Sequence, residues 1–427
     1  MARIAVVGAG AAGLAAARGL VGTDRDVTVF EARDRPGGRA WSDTTLAPHH
    51  VELGAEFIHG ERVATWDWVR EFGARTTGAA HSYEMWFFLE GRLIDRAAAN
   101  EYFGTDPLLA LERLTRRWHE LGRPEASLDS VLELWPELSR RPLRAEGRRL
   151  IANYLSEYVA SDMDQISTHR GLDLEADGEE PERLTSFRLL DGYTSLMRRA
   201  ASGLDIRYGT PVKRIRWDEH GAELESAAGR ERFDRAVVTL PLGVLQRGTV
   251  EFDPPLPEQK RRAIEGLNAG HISKVVVRFD RVYWPKEMTF LWTTGSTQLW
   301  WRPGQGQEQE APVLTAFFGG RDAEAMEAAT PAEAVAEAVR QLEEILGQRL
   351  ADRVQASRYI AWGVEPYTLM GYSSVPPGGG GRRRALAEPV GALHFAGEAT
   401  NANHPATIHG AIETGRRAAS EVLAALA

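Results

Sequence analysis

The chain contains no cysteine. Disulfides, thiolate metal ligands, a cysteine nucleophile and any cysteinyl bond to a cofactor are excluded together. A basic surplus is missing too: 51 Lys and Arg stand against 60 Asp and Glu, a formal net charge of −9. Nothing is left over to neutralise a phosphate backbone, so no nucleic-acid partner is expected. A cationic small molecule suits such a balance. No run approaches the ~18 apolar residues that span a membrane, and no charged n-region with an apolar h-region precedes the opening MARIAVVGAG. The expectation is a cytoplasmic protein without membrane attachment. Its 427 residues exceed what one core usually supports, which predicts two or three domains.

What is present begins at once. Arg3–Val7 reads as a buried strand, Gly8–Gly13 as a tight turn, Leu14–Val21 as a helix, and Val27–Glu31 as a second strand. Strand, helix, strand is the opening of a parallel α/β layer. Ser82–Ile94 has the pattern of a hairpin turning at Glu90-Gly91. Residues 107–164 carry helical spacing with breaks near Gly122–Pro124 and Arg141-Pro142. Strands are expected over Ile206–Tyr208, Val212–Trp217, Ala236–Pro241, Lys274–Phe279, Phe290–Thr293, Gln298–Trp301 and Val313–Phe318. A helix follows over Pro331–Leu346, and Pro376–Arg384 (PPGGGGRRR) reads as a loop with Arg382, Arg383 and Arg384 in solvent. The chain ends with a strand at Leu393–Ala396 and a helix from His409 to Leu426. Because α/β pattern stands at both ends, the last strand and helix are expected to complete the first sheet. The cofactor domain is therefore assembled from discontinuous segments.

The run Gly8-Ala9-Gly10-Ala11-Ala12-Gly13 fits G-x-G-x-x-G between strand and helix. Gly8 permits the turn, Gly10 admits a pyrophosphate to the backbone, and Gly13 lets helix and strand pack closely. The helix N-terminus offers free N–H groups to the phosphates. Glu31 closes the second strand where an acid holds ribose hydroxyls, which disfavours a 2′-phosphate but does not separate NAD from FAD. Downstream, Ala32, Arg33, Arg35, Gly37, Gly38 and Arg39 place guanidinium groups and two glycines beyond the ribose, a set suited to pyrophosphate oxygens.

With GAGAAGLAAARGL, EARDRPGGRA, VELGAEFIHG, LLDGYTSLMRRAA, VVTLPLGVL, SKVVVRFDRVYWP, WGVEPYTLMGYSSVPPG and HFAGEATNANHPATIHGAIETG in order, the chain resembles the flavin-dependent amine oxidases from end to end. That group holds monoamine oxidases, polyamine oxidases and flavin-dependent histone lysine demethylases, and the motifs lie nearest the polyamine oxidase-like branch. The resemblance implies a Rossmann-type α/β FAD domain from residues 1–75, 191–270 and 385–427. It implies an α+β substrate domain from 76–190 and 271–384, a mixed sheet with helices. It implies cofactor contacts from Ala12, Gly54, Ala55, Glu56, Pro241, Trp362 and Gly397, with Val212 at the adenine, Glu398 at the ribityl-pyrophosphate, and Thr407 and Ile408 aiming helix amides at the flavin.

Lys274 matches the lysine that holds a water near the flavin and assists its reoxidation, and Tyr372 the aromatic that flanks the substrate amine. With Thr407 they form the expected catalytic set. Phe57, His59, Tyr372 and His404 are the expected substrate contacts, joined by Glu56. Glu157, Asp162 and Asp164 are candidates to receive a distal ammonium. Two departures matter. Monoamine oxidases carry a flavin-linked cysteine where this chain has Gly371, so FAD is expected to be non-covalent. They place a second tyrosine where this chain has Thr407, and His404 replaces an aromatic of several relatives, with no role assigned.

The implied reaction is hydride transfer from the amine α-carbon to the flavin, with oxygen reduced to hydrogen peroxide and the imine hydrolysed. The partners are an amine and oxygen, without a metal, in a monomer or homodimer. An L-amino-acid oxidase, with Arg302 for the carboxylate, and a flavin desaturase are the enzyme alternatives; a non-catalytic flavin-binding protein is the third.

Overall fold

The computed structural model describes residues 1–22, 24–77, 84–169 and 186–427. Its first sheet is parallel throughout, in the order Leu393–Phe395, Arg235–Val238, Ala2–Val7, Arg25–Phe30 and Asp205–Arg207. Three distant stretches of chain thus meet in one sheet. Ile4 and Val6 face one side and Ala5 and Val7 the other, with both sets buried. Burial on both faces explains why the strand reads as a continuous apolar run and not as an alternation.

The helix after the first strand runs from Ala11 to Leu20. It starts three residues before the expected Leu14, because Gly10 is extended and the alanines that follow are the best helix formers. Gly13 therefore lies inside the first turn. There a Cβ would stand 1.8 Å from the Gly8 carbonyl oxygen, so only glycine allows this helix to lie on its strand. The last helix, Ile408–Leu426, packs against Ala11–Leu20, and the approach is closest at Gly415, whose Cβ would meet the Ala12 carbonyl oxygen at 2.1 Å.

A seven-stranded sheet forms the second layer, in the order Val354–Ala361, Ile272–Phe279, Val313–Gly319, Leu299–Trp301, Phe290–Thr293, Met85–Leu89 and Arg92–Asp95. It is mixed: Phe290–Thr293 runs parallel to Met85–Leu89 and the other pairs are antiparallel. The expected hairpin turns at Glu90 and Gly91, which have φ of 48° and 70°, as a two-residue turn of this hand requires; its expected start at Ser82-Tyr83 lies outside the described residues. Val275 and Val277 pack with Ala338 and Leu342 of helix Pro331–Leu346. Val276 faces the other way, onto the helices within Pro107–Val159. A period of two then puts Lys274 on the helix-covered side with Val276.

A four-stranded sheet, Gly229–Phe233, Ala222–Ser226, Val212–Trp217 and Glu251–Asp253, completes the framework. The expected strand over Ala236–Pro241 ends at Val238, and Thr239 to Pro241 turn away to line the cavity described below. The expected loop Pro376–Arg384 is corrected in its second half. Gly381, at φ +78°, caps a helix over Arg382–Ala387 whose Arg383 is buried. Among the described residues no helix is long and apolar enough to cross a membrane.

Gly415→Ala is expected to destabilise the protein by ~1–3 kcal/mol through overpacking against a backbone that cannot yield. A lowered thermal midpoint of the holoprotein checks it; an unchanged midpoint would mean the two helices separate freely.

Candidate active site

The parallel sheet ends in a cavity of about 1440 Å³ that continues to the helix-covered side of the seven-stranded sheet. Most residues expected to touch cofactor or substrate line it; Arg35, Asp162 and Asp164 do not, and Gly13 works behind the wall as a packing residue. Ligand pockets usually hold ~300–1,000 Å³, so this one has room for a dinucleotide and a second molecule.

At the sheet end, the glycine turn is open. A Cβ on Gly10 or on Gly397 would meet nothing within 4 Å on the protein side. Gly10 caps its helix without a side chain, leaving the terminal N–H groups to a ligand. Glu31 is buried and accepts from the backbone N–H of Ala9 at 2.7 Å and of Arg33 at 2.8 Å. A carboxylate has about four acceptor positions, so these bonds fix its orientation and leave capacity for hydroxyls. The donor set and the open glycine cradle fit an FAD.

The arginines divide. Arg33 lines the cavity but donates to Thr368 at 2.8 Å and pairs with Glu365. Arg35 stacks on Trp41 at 4.4 Å and donates to the Gly38 carbonyl, outside the cavity lining. Arg39 turns inward, donating to the Gly371 carbonyl at 2.5 Å and to Glu398 at 3.0 Å. Glu398 also accepts from Ser373 Oγ at 2.7 Å and from the Ala406 N–H at 3.0 Å. Arg383 donates to Ser373 Oγ at 2.6 Å and to the Ser373 carbonyl at 3.0 Å. Burial alone would raise the Glu398 carboxyl; Arg39, Arg383 and the Ser373 bond outweigh it and hold the group below the ordinary carboxylate range. Ser373 lies in the block WGVEPYTLMGYSSVPPG without an expected role, and Arg383 was expected in solvent, so the sequence assigns neither to this site.

In the second part of the cavity Lys274 is buried. Its Nζ donates to the Gly54 carbonyl at 2.6 Å and lies 4.9 Å from the Trp301 ring. Burial lowers its pKa, against Glu56, Glu52 and Glu157, which raise it. Glu56 is bonded to Arg188 at 2.8 Å and to the Trp301 indole at 2.8 Å. Its partner is Arg188 and not His59, whose Nδ1 lies 3.1 Å from Ser186 Oγ. Trp362 donates to the Leu53 carbonyl at 3.0 Å, and Gly54 leaves room beside its ring.

Glu157 lines the cavity, and its carboxylate has no hydrogen-bond partner among the described residues. Burial pushes it up to about 7, with Lys274 opposing. Its backbone carbonyl accepts from the Tyr372 hydroxyl, which fixes that ring. Phe57, Tyr154, Trp292, Trp301 and Phe317 line the surrounding space. Thr407 caps the last helix, accepting from the Gly410 N–H at 3.0 Å and donating to the His404 carbonyl at 2.8 Å. Asp162 and Asp164 are brought elsewhere: they face Arg321 outside the cavity lining. Arg302 also lies outside it, bound to Glu310 and the Lys286 carbonyl.

A nucleotide cradle joined to an aromatic chamber with a buried lysine is the arrangement a dinucleotide-dependent oxidoreductase needs. Residues 11–423 match the family described as flavin containing amine oxidoreductase, and the chain belongs to it; its cofactor is FAD and its class of reaction the oxidation of amines. Among its relatives, polyamine oxidase 2 of Arabidopsis thaliana is 31% identical over 98% of this chain and 87% of its own length. Lysine-specific histone demethylase 1 homolog 2 of the same plant is 31% identical over 98% of this chain, which spans only 58% of that relative. Cyclohexylamine oxidase from Brevibacterium oxydans IH-35A shares the fold, with a TM-score of 0.82 at 22% identity over 100% of this chain and 99% of that one.

Glu52 gives a pH test of this buried charge cluster. Burial raises it to about 8, although Tyr193 N–H and Ser42 Oγ bond to it. The folded state therefore holds a proton that the unfolded chain releases, and stability falls as pH rises from the ordinary carboxylate range to about 8. Glu52→Gln is expected to flatten that fall in denaturant titrations between pH 5 and 9; an unaltered pH dependence contradicts the assignment.

Proposed function

We propose that the chain oxidises a primary or secondary amine that carries a second cationic nitrogen, a diamine or polyamine. The observation that carries this reading is Glu157: a carboxylate in an aromatic chamber, without a hydrogen-bond partner among the described residues and raised to about 7 by burial. Such a group is held ionised most readily by an arriving cation. The relatives named for polyamines agree with that chemistry.

In this reading residues 1–75, 191–270 and 385–427 hold the cofactor, and 76–190 and 271–384 hold the amine. Gly8, Gly10 and the helix N-terminus hold the pyrophosphate, Glu31 the ribose, Val212 the adenine, and Glu398 with Arg39 the wall beyond. FAD supplies the two-electron acceptor for a hydride from the amine α-carbon, with oxygen as the final acceptor and hydrogen peroxide as product. Tyr372, held by the Glu157 carbonyl, presents its ring to the amine being oxidised. Trp292, Trp301 and Phe317 exclude bulk water, so that Glu157 acts on the distal nitrogen in low dielectric. Lys274 spends one N–H on Gly54 and keeps two for a water, and its charge stabilises negative charge forming on oxygen. The helix capped by Thr407 adds its dipole at the same end. Arg302 is committed to Glu310 and two backbone carbonyls, so an amino-acid oxidase using it as carboxylate anchor has no support.

The first test is an anaerobic visible spectrum titrated with putrescine, spermidine, spermine, benzylamine, tyramine and L-amino acids. Bleaching of the flavin band by the di- and polyamines ahead of the others is expected; bleaching only by monoamines or amino acids rejects the substrate class, and bleaching by none rejects the activity. Glu157→Gln is expected to raise KM for a diamine about tenfold, ~1.4 kcal/mol, and to leave a monoamine's KM in place. The wild-type preference should strengthen as pH rises through about 7, where the carboxylate ionises. Lys274→Met is expected to slow reoxidation by oxygen while FAD stays bound, read by stopped-flow mixing of the reduced protein with oxygen; unchanged oxygen kinetics rejects that role.

A further inference from the structure

His404 is a cavity-lining histidine for which the proposed reaction has so far found no use. Its Nδ1 lies 2.9 and 3.1 Å from the two carboxylate oxygens of Glu413, one helical turn and a loop further along the chain. Glu413 is itself oriented by the Asn401 amide at 2.8 Å. The loop between them is pinned as well: Asn401 Oδ1 accepts the N–H groups of Asn403 and His404 at 2.9 and 2.8 Å, and Thr407 Oγ1 donates to the His404 carbonyl. This is more ordering than a surface histidine needs.

We infer that His404, oriented by Glu413, is the base that takes the proton from the substrate's ammonium group before oxidation. The inference rests on the amine-oxidising reading above. An amine reaches the protein mostly as ammonium, whose nitrogen lone pair is occupied, whereas loss of an α-hydride requires that pair to be free. A base at the site is therefore needed. With Nδ1–H donated to Glu413, the tautomer leaves the Nε2 lone pair for the cavity. The step balances simply. The ammonium N–H bond breaks, its electron pair stays on the amine nitrogen, and the proton forms a bond to Nε2. The imidazolium charge so made is compensated by Glu413, and the partial exposure of His404 gives the proton a way out.

The groups facing His404 support this use. From the last helix, Glu413 raises it more than burial lowers it. His409, with its ring 5.1 Å away, is held down to about 3 by burial and by His404 and His59. It stays neutral and adds no competing charge. His59, at the end of the strand Phe57–His59, is exposed and has its Nδ1 3.1 Å from Ser186 Oγ, with no carboxylate paired to it among the described residues. Glu61 and Arg62, of opposite sign, line the cavity beyond it. Among the described residues three histidines line the cavity, and of these His404 is the one that is raised and the one with the carboxylate.

The test compares wild type, His404→Gln and Glu413→Gln in two measurements. The first is the pH dependence of anaerobic flavin reduction by the preferred amine. The second is the pH dependence of binding of tert-butylamine, which has no α-hydrogen and is held without being oxidised. In wild type both are expected to rise with pH through the histidine and then level off. In His404→Gln, reduction at pH 7 is expected to fall about 10²-fold, and both profiles to keep rising toward the amine's own pKa, near ~10 as for a lysine amine. In Glu413→Gln the levelling-off is expected to move to lower pH, back toward the ~6.5 of a free imidazole. Profiles in either variant that superimpose on wild type overturn the inference, and the second variant keeps it testable should the first fail to fold. If amines bleach the flavin but the variants change nothing, the base is wrong and the reaction stands. If nothing bleaches it while tert-butylamine binding titrates as described, the reaction is wrong and the dyad stands.

Discussion

Four separate stretches of chain form the wall between nucleotide cradle and substrate chamber, and one buried carboxylate ties them. Glu398 accepts from Arg39 of the glycine-rich segment, from Ser373 beside Tyr372, and from the N–H of Ala406 ahead of the last helix. Arg383 closes the set from the helix Arg382–Ala387 by holding Ser373 from the other side. A charge taken from water this completely is tolerated only when its lone pairs are met, and here two arginines, a hydroxyl and a backbone N–H attend one acid. Removing any one partner leaves a buried charge short of compensation. That asymmetry makes the arrangement specific: it holds the loop 401–407, the turn at Gly371-Tyr372 and the arginine segment in one relation. The positions of Tyr372, Thr407 and His404 all follow from it.

Much of this was legible in the sequence where chemistry and local geometry coincide. G-x-G-x-x-G with a strand before, a helix after and Glu31 beyond specifies a cradle through backbone requirements alone. The structure puts Gly13 where a Cβ would collide with the Gly8 carbonyl. Strands buried on both faces announce themselves as unbroken apolar runs, whereas Lys274 stood out through the family motif SKVVVRFDRVYWP. Motif order carried the rest of the fold, since no periodicity rule shows that Leu393–Phe395 lies beside Arg235–Val238.

What stayed hidden was decided by tertiary contact. PPGGGGRRR reads as loop because glycine and proline dominate it, yet the glycines end at a left-handed cap and the arginines begin a helix. Nothing nearby in sequence says that Arg383 turns inward to a serine ten residues back. The three acids Glu157, Asp162 and Asp164 look alike on paper. Only the docking of helix Ala145–Val159 on the sheet puts the first in the chamber and sends the others to Arg321. Glu56 and His59 invite pairing by proximity along the chain, but a strand alternates its side chains, and each found its partner on the segment 186–188 opposite.

The chamber's charges then explain one another. Glu56 is matched by Arg188, and Glu52, held up to about 8, is neutral at ordinary pH. Lys274 is left with a carbonyl, an indole face and the more distant Glu157. Such a set carries one positive charge when Glu157 is protonated and is close to neutral when it is not. An entering cation shifts that balance toward the carboxylate, and the protein gains the interaction without having carried a fully ionised acid in an empty apolar space. In the proposed reading a second charge on the substrate is favoured at Glu157, while the nitrogen to be oxidised must lose its own charge. In that reading the opposite demands are met at different places: a carboxylate in the same cavity lining as Tyr154 and Trp292 for the nitrogen that stays cationic, and the histidine–glutamate pair of the 401–413 segment for the one that does not.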